Sequence, residues 1–76
     1  MLLGSNSVES SQYAREAVRV ITAATDLAGG AAEAEAWFRN HRIADFDGKS
    51  AEDLVSAGRT EDVLRYIEML SAGSAG

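Results

Sequence analysis

One histidine and two aspartates in a short central segment are the residues of this sequence that come nearest to a metal-ligand cluster. His41, Asp45 and Asp47 carry imidazole and carboxylate groups, which are ordinary ligands of divalent cations. They are fewer than the four ligands of a structural zinc site. The run Asp45-x-Asp47-Gly48 is not a calcium-binding EF-hand loop either, because its glycine comes too early and Ser56 stands where that loop requires glutamate. We therefore interpret both aspartates as turn residues and expect no metal site.

Two pairs of adjacent acids are the groups best suited by type to acid–base catalysis. These pairs, Glu52-Asp53 and Glu61-Asp62, each fall in the first turn of a predicted helix, where the helix dipole favours negative charge. The sequence contains no phosphate-binding glycine loop and no cysteine that a histidine could activate. We expect neither a catalytic site nor a cofactor, and we predict that the protein is not an enzyme.

Length, composition and charge limit the class of protein further. The chain has 76 residues, 46% hydrophobic and 25% charged, which is typical of one globular domain. Its net charge of −5 repels a phosphate backbone, and its seven basic residues are scattered along the chain. No apolar run reaches the roughly 20 residues of a membrane-spanning helix. We therefore expect a soluble, cytoplasmic protein that does not bind nucleic acid or membranes directly.

Glycines and polar residues divide the first half of the chain into two predicted helices. Apolar residues at intervals of three and four predict a long helix from Ser10 to Ala28, with Ser10 or Ser11 as its N-cap. Gly29-Gly30 is predicted to end this helix, since glycine readily takes the left-handed conformation of a helix C-terminus. A second helix is predicted over Ala31–Asn40.

The segment that follows the second helix is predicted to be an ordered loop. It runs from His41 to Lys49 and carries Ile43 and Phe46 as isolated apolar anchors. A third, short helix is predicted after it, with Ser50 as N-cap and Asp53 completing a capping-box pattern.

A fourth helix is predicted after Gly58, with Thr60 as its N-cap and Leu70 near its end. The predicted fold is all-α, with one long N-terminal helix followed by three shorter ones. In this division residues 1–9 are a flexible segment, residues 10–70 form the folded domain, and residues 71–76 form a flexible tail.

The apolar stripe of the first helix is wider than one neighbouring helix requires. This helix is therefore either central to the fold or packed against a second copy of the chain. We predict a homodimer through it, and the predicted interface consists of Tyr13, Ala17, Val18, Val20, Ile21 and Ala24, with Leu27 continuing the seam.

The aromatic side chains can be interpreted either as hot spots of a binding surface or as part of the hydrophobic core. Trp37 and Phe38 are adjacent on a predicted helix flanked by alanines, and we interpret them as core. Tyr66 and Met69 lie to one side of the apolar stripe of the fourth helix, so that they either face a partner or pack against the first helix.

The C-terminal two thirds of the chain resembles the toxin-binding domain of the Xre/MbcA/ParS family of bacterial antitoxins. The resemblance lies in an ordered succession: Trp37-Phe38, then the run Gly48-Lys49-Ser50-Ala51-Glu52-Asp53-Leu54-Val55, then Gly58 and a last helix with Val63-Leu64 and Ile67. Full-length antitoxins of that family also carry an N-terminal helix-turn-helix domain that binds DNA. Only about nine residues precede the first predicted helix here, so DNA binding is not carried over.

The resemblance implies that the chain binds and inhibits a RES-domain toxin, of a group associated with NAD degradation. In the family the C-terminal segment of the antitoxin blocks the entrance of the toxin's active site. By that resemblance the partner-binding residues are those at the end of the fourth helix and in the tail: Tyr66, Met69, Leu70, Ser71, Ala72, Gly73 and Ser74. The alternative function is a homo-oligomerising helical module with no inhibitory role.

Overall fold

The computed structural model describes the backbone of residues 2–75 and the side chains of residues 11–72. Within that range the chain forms four α-helices and one small antiparallel sheet, so the predicted all-α class is confirmed. The first helix is the longest, as predicted, with 27 residues. The elements in chain order are α1 (Leu2–Ala28), α2 (Ala31–Asn40), β1 (Arg42–Ile43), a 3-10 turn (Ala44–Phe46), β2 (Lys49–Ser50), α3 (Ala51–Ser56) and α4 (Thr60–Ala75).

The break between α1 and α2 is formed by the two glycines. The backbone N–H groups of Gly29 and Gly30 both donate to the carbonyl oxygen of Thr25, at 3.0 and 3.1 Å. Gly29 has a φ of 98°, a conformation that costs glycine little because it has no Cβ. α2 then begins at Ala31 and ends at Asn40, which are the predicted bounds.

The segment predicted as a loop folds into a miniature hairpin. Arg42 pairs with Ser50 and Ile43 with Lys49 across two antiparallel strands of two residues each. Asp47 and Gly48 form the turn with positive φ values of 60° and 76°. Ile43 is fully buried, which confirms its predicted role as an anchor. Strands this short show no alternation in the sequence, and the loop prediction missed them for that reason.

The core lies where α1, α2, α3 and α4 meet, and the hairpin closes one side of it. α1 contributes one face over several turns, and the shorter helices pack across that face. The buried hydrophobic residues are Ala17, Val20, Ala24, Ala34, Phe38, Ile43, Ala51, Leu54, Val55, Val63 and Ile67.

Both terminal helices extend beyond their predicted bounds. α1 begins at Leu2, so Ser10 and Ser11 lie inside the helix and neither is its N-cap. α4 continues to Ala75, beyond the predicted end near Leu70. Adding a residue to an existing helix forms one hydrogen bond per residue ordered, and the sequence contains no proline to stop it. Residues 2–9 and 71–75, predicted as flexible ends, are therefore helical in their backbone, while Met1 and Gly76 lie outside the described residues.

The start of α4 also differs from its prediction. Thr60 is the first helical residue and not the N-cap, and its side chain is buried. Arg59 precedes it, and the Arg59 Nε donates to Asp62 Oδ2 at 2.9 Å.

Candidate protein-binding surface

An apolar groove lies between the C-terminal turns of α1, the middle of α2 and the second half of α4. Its volume is about 180 Å³. We call it the C-terminal groove, and it is lined by Ala24, Leu27, Ala28, Trp37, Ile67 and Leu70.

Helical spacing brings the lining residues to one place. Ala24, Leu27 and Ala28 lie three and four residues apart, so that they share one face of α1. Ile67 and Leu70 share a face of α4 for the same reason. Ala24 and Ile67 are buried at the floor of the groove, whereas Leu27 and Leu70 are 39% and 40% exposed. The groove is therefore open to solvent.

Trp37 forms the α2 wall of this groove and is held by a neighbour one helical turn away. Its indole ring stacks on the imidazole ring of His41, with ring centroids 5.9 Å apart and planes 17° from parallel. Trp37 is partly buried, and Phe38 is 3% exposed inside the core. The core prediction is confirmed for Phe38, while Trp37 lies at the edge of the core.

Met69 is the most exposed large apolar residue of α4, at 60%. It precedes Leu70 directly, and Ser71 and Ala72 after them are also exposed. Four of the predicted partner-binding residues are thus accessible along the same stretch of helix. Gly73 and Ser74 belong to α4, but their side chains lie outside the described residues.

Tyr66 differs from the other predicted partner-binding residues because it is partly buried against the hairpin. Its ring meets the Phe46 ring edge-on, with centroids 6.1 Å apart. The Arg59 guanidinium lies over the Phe46 ring, 5.2 Å from its centroid. This contact ties the hairpin to α4, which gives Tyr66 a structural role.

The residues predicted as a dimer interface on α1 are mostly inside the protein. Ala17, Val20 and Ala24 are buried in the core, while Tyr13 and Ile21 are partly buried against it. The seam is occupied by α2, α3 and α4, so a second copy of the chain does not have access to it. Val18 alone among the six residues remains largely exposed, at 61%.

Charged groups gather around a second, polar groove between α1 and the α3–α4 junction. Arg19 bridges two acids there, with 2.9 Å to Glu16 and 3.3 Å to Glu61. The Tyr13 hydroxyl donates to Glu52 Oε2 at 3.5 Å. Burial and, next, the negative charge of Glu52 raise the pKa of Tyr13. These groups pair with one another, and exposed pairs of this kind contribute about 0–1 kcal/mol each.

Residues 11–72 hold no group of three or more His, Cys, Asp or Glu side chains close enough to bind one metal ion. Across the helices that the structure describes, none has both the length and the apolar character needed to cross a bilayer.

No protein family, curated protein or solved structure matches the chain. The description of the groove therefore depends on the structure of this chain alone. Sequence reasoning placed Leu27 in the predicted dimer seam and Trp37 in the core, and it did not predict that the two line one groove. The one signal that pointed outward was the position of Leu27 at the very end of α1, where a stripe can run past its neighbours.

Proposed function

We propose that this chain is the toxin-binding domain of an Xre/MbcA/ParS-type antitoxin and that it inhibits a RES-domain toxin through the C-terminal end of α4. The observation that carries the proposal is the cluster of exposed apolar side chains at that end, Met69 and Leu70, beside Leu27 of α1. Contiguous exposed apolar residues commonly mark protein interfaces. The order of motifs from Trp37 to Ile67 supplies the family resemblance.

The helical form of residues 71–75 affects how such inhibition works. In a helix the backbone N–H groups of residues 71–75 already bond to carbonyls one turn earlier, so they cannot donate to an enzyme cleft as an extended tail would, and only the carbonyls of the last turn stay free. Affinity then comes mainly from side chains, chiefly Met69 and Leu70. The small residues beyond them make a slim helix end that fits a narrow entrance.

The test is copurification with a RES-domain protein, followed by an activity assay on that protein. The intact chain should bind and inhibit. A variant that lacks residues 71–76 should keep its melting temperature, since Ser71 and Ala72 are exposed and bury little apolar surface, yet inhibit much less. Val18→Glu is the matched control, because it removes an exposed apolar residue of α1 that does not line the C-terminal groove, and it should inhibit normally.

Two results would count against the proposal. Full inhibition by the shortened chain would show that residues 71–76 are not the inhibitory element. RES-domain proteins that neither bind nor are inhibited would contradict the antitoxin function itself.

A homodimer is the second candidate function, and one observation favours it. Val18 is 61% exposed on the face of α1 that the other helices leave uncovered. An interface centred on Val18 would replace the buried seam predicted from the sequence.

A further inference from the structure

We infer that two copies of the chain associate through the outer face of α1, the side opposite the core, with the helices antiparallel and Arg15 of each copy beside Asp26 of the other. This inference rests on the second candidate function, the homodimer centred on Val18, and is independent of the antitoxin proposal. Three observations support it: the outer face is continuous, its charged residues are not paired within the described chain, and their spacing is complementary to itself.

The outer face of α1 is a strip that the other helices leave uncovered. Its exposed residues follow one another at intervals of three and four, so they share one side of the helix: Ser11, Arg15, Val18, Thr22 and Asp26. The same intervals shifted by two residues give the opposite side, which packs against the other helices: Tyr13, Ala17, Val20, Ala24 and Ala28. A second helix can therefore lie along the outer face without disturbing the core.

Arg15 and Asp26 are the two charged residues of this face, one towards each end. Of the ion pairs among residues 11–72, none contains either of them. Arg19 lies beside the face, and its charge is already balanced by Glu16 at 2.9 Å and Glu61 at 3.3 Å. Two opposite charges are thus left for a partner, with uncharged residues of the face between them.

The separation of the two charges matches an antiparallel copy. Arg15 and Asp26 are eleven residues apart (26 − 15), about three helical turns, and so they remain on one side of α1. When a two-fold axis relates the helices, each Arg15 lies opposite the Asp26 of the other copy, and two attractive pairs form at once. This register also places Val18 of each copy beside Thr22 of the other. A parallel arrangement would instead set like charges against each other, which is unfavourable.

A second copy supplies this complement by itself. A two-fold interface uses the same patch on both subunits, so the patch must be complementary to itself, and the outer face of α1 has that property. An unrelated helix would need an acid and a base at the same separation and in the reverse order. Two-fold dimers are also the commonest soluble oligomers.

The association is expected to be weak and sensitive to salt. A strip of one helix buries less than the about 800 Å² that each partner of a typical stable complex contributes. The two ion pairs lie at the surface, where salt screens them. The charges therefore determine the register more than the affinity, and the measurement needs high micromolar protein at low salt.

Charge reversal tests the register by sedimentation equilibrium of the full chain. Arg15→Glu alone and Asp26→Arg alone each replace both attractive pairs by repulsive ones, so each should raise the dissociation constant of the dimer about tenfold or more. A mixture of the two variants should return to a dissociation constant close to that of the natural chain, because the mixed dimer again has two pairs of opposite charge. The double variant should do so for the same reason.

Two exposed charges outside α1 provide matched controls. Lys49→Glu and Asp45→Arg change the net charge by the same amounts as the two α1 variants, but they lie in the hairpin segment. Both should dimerise as the natural chain does. Circular dichroism should be unchanged in all four single variants, because all four side chains are exposed.

The outcomes separate this inference from the two proposed functions. Single variants that dimerise as tightly as the natural chain, or a mixture that stays monomeric, would overturn the antiparallel register, while loss of the dimer in Val18→Glu would still support the homodimer. A natural chain that is monomeric at high micromolar concentration would overturn both the register and the homodimer. Neither result bears on the antitoxin proposal, which the inhibition assay tests.

Discussion

At the scale of single residues, the start of α3 is held by a reciprocal pair of side-chain contacts. The backbone N–H of Asp53 donates to Ser50 Oγ at 3.1 Å, and the backbone N–H of Ser50 donates to Asp53 Oδ2 at 3.1 Å. Donation from the Ser50 backbone, with a further contribution from its hydroxyl, lowers the pKa of Asp53 below its ordinary value of 3.8. This capping box was predicted from the sequence and is confirmed.

The lowered pKa of Asp53 predicts a pH dependence of folding. A carboxyl whose pKa is lower in the folded chain contributes stability above its unfolded pKa of 3.8 and loses it as the pH falls through the folded pKa. Asp53→Asn should therefore destabilise the protein at neutral pH, with a smaller difference at a pH below 3.8. Urea unfolding at both pH values measures it.

Ser50→Ala supplies the comparison for that measurement. It removes the neutral acceptor for the Asp53 N–H, so it should cost about 0.5–2 kcal/mol at both pH values. A difference for Asp53→Asn that stays constant with pH would contradict the assigned role of the carboxylate.

At the scale of elements, the junction between α3 and α4 depends on one glycine. The Arg59 N–H donates to the Leu54 carbonyl at 2.8 Å, and the Gly58 N–H donates to the Val55 carbonyl at 3.0 Å. These two bonds form a Schellman motif, which requires a left-handed residue, and Gly58 has a φ of 80°. The junction orients α4 across α1 and so places Leu70 beside Leu27.

Gly58→Ala should destabilise the protein by about 1–2 kcal/mol, because the left-handed conformation strains a residue with a Cβ. A Cβ at this position would have no atom within 4 Å, so the cost is conformational and not steric. Thermal unfolding measures it. Gly58→Asn is the matched variant and should lose less, since asparagine tolerates this conformation better. Equal losses for the two variants would point to a different cause.

At the scale of the whole molecule, a small core holds together one long helix and three shorter ones. Chains of 76 residues are stable by roughly 4–11 kcal/mol, at about 0.05–0.15 kcal/mol per residue. Leu54 is fully buried at the centre of this core. Each large core side chain therefore accounts for a considerable share of the free energy of unfolding.

Leu54→Ala should lower the free energy of unfolding by about 2–5 kcal/mol, through lost apolar burial and the cavity left behind. Met69→Ala should change it by less than about 0.5 kcal/mol, because Met69 is 60% exposed. Under the proposed function, the same Met69 change should weaken inhibition of a RES-domain toxin. Chemical unfolding and an inhibition assay on both variants separate folding from binding. A large loss of stability in Met69→Ala would mean that this side chain packs inside the protein.

Dimerisation is also a property of the whole molecule. Among the six residues predicted as a dimer interface, Val18 is the one that is largely exposed, since Ala17, Val20 and Ala24 are buried in the core, so an association through these residues is expected to include Val18. Light scattering at high micromolar concentration should then show a dimer for the natural chain and a monomer for Val18→Glu. A natural chain that stays monomeric would rule out this association.

Local features of the sequence determined most of the helical layout. The breaks at Gly29-Gly30 and Gly58, the bounds of α2 and the Ser50–Asp53 cap all depend on residues within a few positions of one another. Backbone conformation and capping act over that range, so they can be read without knowledge of the fold.

The tertiary structure decided which apolar faces are covered. A wide stripe on α1 looks the same in the sequence whether other helices of the same chain or a second copy bury it. Packing of α2, α3 and α4 settled this for Val20 and Ala24, and left Val18 outside. The C-terminal groove exists only because three distant segments, which contain Leu27, Trp37 and Leu70, meet without filling the space between them. Such a space is a property of how side chains fit together across the fold, and no local pattern encodes it.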